Sequence, residues 1–135
     1  MEPLRVNHPL ENVMNKLVLI VSRVLLAQLF IVSGFGKIGG YAGTQGYMES
    51  MGVPGALLPL VILVELGGGL LLVAGLFTRW AALALAGFSI AAALIFHTHF
   101  AEQMQMIMFM KNLSIAGGLL LLGFPEALTA GKPAR

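Results

Sequence analysis

Glu65 stands inside the apolar run Pro54–Phe77, which is long enough to cross a bilayer. A carboxylate at the centre of a membrane costs at least ~2.5–3.5 kcal/mol on insertion scales. It therefore has to face protein or water and find a partner. A glutamate so placed can hold a cation, exchange a proton or accept a hydrogen bond. Lys16, Arg23, Phe30 and Lys37 recur every seven residues. Seven residues are nearly two helical turns, so the four share one face. Lys16 and Lys37 are ~31 Å apart along such a helix, about one hydrocarbon thickness, and can snorkel to opposite interfaces. Arg23 lies ~10 Å inside Lys16 and needs a partner. Reckoned from a helix end near Leu76, Glu65 is offset from Arg23 by only ~6 Å. The expectation is an Arg23–Glu65 pair.

Lys111 and Asn112 enter from the last apolar segment at a depth close to that of Glu65. Two cations around one carboxylate leave an excess buried positive charge, which calls for an anionic or carbonyl-bearing ligand. A quinone head group or a small oxyanion has that chemistry. Lys111 or Asn112 could donate to a quinone carbonyl while Glu65 exchanges a proton. On this reading Glu65, Lys111 and Arg23 are the catalytic candidates. Lys37, His97 and Asn112 are the cofactor-binding ones. The competing account is structural: an ion pair that fixes helix register, with Lys111 snorkelling outward.

Other polar groups point less sharply. His97 and His99 sit at i, i+2 and do not share a helical face. With Glu102 they lack metal-ligand spacing, so no bound metal is expected and interfacial histidines are the simpler reading. Proton exchange at His97 is the functional alternative. Met104, Met106, Met108 and Met110 alternate rather than hold one helical face, and read as packing residues.

The elements that must position these residues are set by composition. Of 135 residues 58% are hydrophobic and only 10% charged, against about 25% charged in a soluble domain. The mean hydropathy of +0.89 agrees, so the lipid bilayer is the first partner. Cysteine is absent, which removes disulfides, thiol nucleophiles and Cys-ligated clusters. The net charge of +2 is spread singly, without the basic tract that nucleic acid would require.

Four apolar segments follow, near Val13–Gly36, Pro54–Phe77, Arg79–Phe96 and Met104–Phe124. Backbone groups in lipid must be bonded internally, and no strand-like alternation appears. The fold class is an all-α membrane protein, a four-transmembrane-helix bundle. It divides into an N-terminal cytoplasmic segment 1–12, the membrane domain 13–124 and a cytoplasmic tail 125–135. Arg23 interrupts the first segment and Gly34–Lys37 is a poor cleavage site, so this segment is read as a retained span rather than a signal peptide. Arg5, Lys16, Arg79, Lys132 and Arg135 share one side, against Lys37 and Lys111. That bias predicts an N-in/C-in orientation. Tyr41, Tyr47 and Trp80 are interfacial anchors. The glycines Gly34, Gly36, Gly67–Gly69 and Gly117–Gly118 are read as helix-packing positions.

The same residues carry a family resemblance. Arg23 is followed by Leu29-Phe-Ile-Val-Ser-Gly-Phe-Gly-Lys37. Then come Gly40-Tyr-Ala-Gly-Thr-Gln45, Tyr47-Met48 and Met51-Gly-Val-Pro-Gly55. Leu58-Pro-Leu-Val-Ile-Leu-Val-Glu-Leu-Gly-Gly-Gly69, Gly75-Leu-Phe-Thr-Arg79, Phe96-His97 and Phe109-Met-Lys-Asn-Leu113 continue the succession. In this order they resemble the DoxX family of small four-helix membrane proteins, over roughly residues 15–123. The resemblance implies a multi-pass protein of the bacterial cytoplasmic (inner) membrane. It also implies association with oxidoreductases, some of them quinone-linked. Any electron carrier must then be a quinone or belong to a redox-enzyme partner.

The leading functional expectation is a membrane oxidoreductase subunit that meets quinone or quinol through the Arg23–Glu65–Lys111–Asn112 cluster. A non-enzymatic scaffold or chaperone-like protein is the alternative. A small transporter or proton pathway is the second, and four short helices would then call for a homo-oligomer.

Overall fold

A computed structural model describes residues 9–131 of the chain. Arg5, Lys132 and Arg135, used in the orientation argument, lie outside the described residues, as does most of the segment 1–12. Among the described residues five helices form: α1 (Pro9–Gly39), α2 (Tyr41–Ser50), α3 (Gly55–Ala74), α4 (Thr78–Phe96) and α5 (Gln103–Gly123). A 3₁₀ turn over Pro125–Thr129 follows. All but α2 are long and apolar enough to cross a membrane, which realises the four expected spans. The protein is an all-α membrane bundle.

Two boundaries differ from expectation. The first helix starts at Pro9 rather than near Val13, because proline at a first helical position loses no hydrogen bond. The stretch 41–50, read as a connection, is the helix α2. It carries Gly43 and Gly46, which weaken helix propensity, and has no long apolar run to betray it.

The second span is not a uniform helix. It opens with a 3₁₀ turn at Gly55–Leu57 and is α-helical over Leu58–Ile62. It widens into a π-helical turn over Leu63–Gly67 and returns to α over Gly68–Ala74. Gly75 ends it at φ +74°, a left-handed conformation that glycine takes without a Cβ clash. Phe77 adopts φ 49° just beyond, so the α3–α4 turn is tight.

Small residues set the contacts between spans. A Cβ added at Gly69 would lie 2.7 Å from Ile31 Cγ1 and 3.3 Å from the Ala27 carbonyl, so α1 and α3 meet almost backbone to backbone. Ala81, Ala82, Ala86 and Ala116 share the buried core with Ala27, Phe30, Leu72, Leu85 and Leu119. Close approach replaces hydrophobic driving force where the surrounding lipid is as apolar as the core.

Candidate ligand cavity

The site begins with two residues one turn apart on α1. Ser33 and Lys37 are i, i+4 and project on one face. Lys37 Nζ donates to Ser33 Oγ at 2.6 Å. The same ammonium lies 2.6 Å from Glu65 Oε1. Glu65 comes from the π-helical turn of α3 and is only 3% exposed. Such single-turn widenings recur at functional sites. Gly34 is what lets α3 in. A Cβ there would stand 3.0 Å from the Leu66 nitrogen and 3.3 Å from Glu65 Cβ.

The Lys37 ammonium carries three N–H donors, enough to serve Ser33 Oγ and the Glu65 carboxylate together, both at 2.6 Å.

The pair forms one wall of a cavity of about 430 Å³ at the end of the bundle that carries α2. Its other walls are mostly apolar, with Phe30, Phe88 and Phe96 among them. Asn112 lines it from α5 and donates from Nδ2 to the Ser89 carbonyl at 3.2 Å, leaving one amide hydrogen for another acceptor. His97, just past the end of α4, lines it too. Its Nδ1 is hydrogen-bonded to Gln105 Oε1 at 3.0 Å. α2 closes the cavity with Thr44, Tyr47 and buried Met48. Tyr47 stacks on Phe96 with ring centroids 5.4 Å apart, and Gln45 Nε2 donates to the Gly55 carbonyl at 3.1 Å. These two contacts tie α2 to α4 and α3.

Of the residues singled out from sequence, Lys37, Glu65, His97 and Asn112 come together around this cavity. Lys111 does not. It is on the exposed side of α5, about 100° around the helix from Asn112. Arg23 does not either, and the expected Arg23–Glu65 pair is replaced by Lys37–Glu65. Register is the reason. Gly34 against Leu66 and Gly69 against Ile31 slide the antiparallel helices until Arg23 meets Gly75. Glu65 is ten residues from Gly75, ~15 Å of helical rise. Ser33 and Ser89 were not anticipated, and Tyr47, expected as an interfacial anchor, also lines the cavity. The i, i+4 spacing of Ser33 from Lys37 was the available signal for the first.

The DoxX family model matches residues 18–98. The inner membrane protein YqjF of Escherichia coli K12 is 59% identical over 103 residues, covering 76% of this chain and 79% of that protein. The inner membrane protein YphA of the same organism is 37% identical over 123 residues, covering 84% and 88%. No solved structure matches. Relatives of the inner membrane and four apolar spans make this a multi-pass inner membrane protein. The match over most of its membrane portion means that the chain belongs to the DoxX family.

Proposed function

We propose that the protein is a quinone-binding subunit of a membrane oxidoreductase, with the head group seated in the cavity beside Lys37 and Glu65. The carrying observation is the buried Lys37–Glu65 ion pair in an otherwise apolar wall. Concave, mostly apolar sites with a few convergent polar groups are the usual form of small-molecule sites. Lys37 donates to one carbonyl oxygen, and the unused Asn112 hydrogen is the second donor. Glu65 holds or releases a proton at the wall as the ring takes up or loses electrons. The quinone supplies the redox chemistry, and a redox-enzyme partner supplies or receives the electrons. Both termini are assigned to the cytoplasm, so the cavity end faces the periplasm.

Photoaffinity labelling with a short-chain azidoquinone in proteoliposomes tests this reading. Label should map to residues of α1, α2 and α4 around the cavity and fall at least tenfold in Lys37→Met. Lys111→Met, a change outside the cavity, should leave labelling intact. Equal labelling of wild type and folded Lys37→Met would refute the assignment.

A further inference from the structure

The opposite end of the bundle holds a charge that the cavity does not use. The Arg23 guanidinium packs against Gly75, where a Cβ would collide with Nη1. Arg23 Nε is buried without a hydrogen-bond partner. Neither ion pair among the described residues, Lys37–Glu65 or Arg79–Glu126, includes it. A partly buried guanidinium left without an anion is costly.

Its depth follows from backbone chemistry. Gly75–Phe77 is the turn between two spans, and irregular backbone is not tolerated in lipid-exposed hydrocarbon. The turn is therefore at the membrane face, and so is the arginine packed on it. Exposed Phe77 and Trp80 beside the turn mark the same level as an aromatic belt. On α1, exposed Leu19 and Ile20 lie about one turn from Arg23 on its own side of the helix, and exposed Leu76 and Phe77 follow the glycine it packs on. The surface beside the guanidinium is therefore oily. Lys16, seven residues back on the same face, adds a second cation ~10 Å away.

We propose that Arg23 binds the phosphate of an anionic phospholipid in the crevice between α1 and the α3–α4 turn. The planar fork of donors matches a phosphate oxyanion, and the apolar residues of α1 that follow Arg23 toward the bilayer centre accept the acyl chains. The oily surroundings favour a lipid phosphate over one dissolved in water. Basic crevices between spans at the cytoplasmic side are a recognised form of anionic-lipid site.

The test is native mass spectrometry of the protein released from nanodiscs of equal parts phosphatidylglycerol and phosphatidylcholine. Wild type should retain phosphatidylglycerol in several-fold preference. Arg23→Met should lose that preference, and Arg23→Lys should keep part of it. Circular dichroism checks that each variant is folded, and Arg23→Gln serves if the methionine variant is not. The proposal fails if a folded, uncharged variant retains phosphatidylglycerol as wild type does. It also fails as a lipid site if excess inorganic phosphate displaces the lipid, which would identify a dissolved oxyanion as the ligand.

Discussion

Replacing Lys37 by Met strands Glu65 in an apolar wall, and the size of the penalty can be worked out. At 2.6 Å the two charges attract by about 6 kcal/mol at an effective dielectric constant near 20, before desolvation is subtracted. Removing one partner of a buried pair typically costs about 3–5 kcal/mol. The expected loss for Lys37→Met is therefore about 3–5 kcal/mol. Glu65→Gln should cost less, about 1–2 kcal/mol, because the Lys37 side chain is 25% exposed and can turn toward the interface. The double variant should show a coupling of about 2 kcal/mol. Reversible unfolding in mixed micelles, followed by far-UV circular dichroism, measures all four proteins. Additivity within about 0.5 kcal/mol would refute the ion pair.

Two further outcomes are expected. Gly69→Ala should destabilise the bundle by about 1–3 kcal/mol, because its Cβ meets Ile31 and the α1 backbone, whereas Gly117→Ala should be neutral or slightly stabilising, with nothing within 4 Å; thermal unfolding of the two variants in detergent compares them. In this cysteine-free chain, Ser50→Cys should react with an impermeant maleimide from the periplasmic side of intact cells and Thr129→Cys should not, and the reverse pattern would invert the orientation.

The membrane class, the four spans and the need of Glu65 for a buried partner were legible in the chain itself. Each depends on a quantity read along one dimension: the length of an apolar run, or the cost of a charge placed within it. Asn112 and His97 were legible for the same reason, as polar groups at a predictable depth. The identity of Glu65's partner was not. It depends on how far α3 slides along α1, and Gly34 and Gly69 decide that slide by letting backbones interlock. A shift of a few residues moves the carboxylate from the level of one cation to that of another. Which side of α5 faces inward was also undecided, because its apolar residues run all round the helix and give no preferred face. Packing turned Asn112 to the cavity and Lys111 away from it. α2, with its glycines and near-neutral polarity, became a helix through contacts made with α3 and α4. Sequence determined which groups a membrane would force to find partners, and the interlocking of helix backbones decided which partners they found.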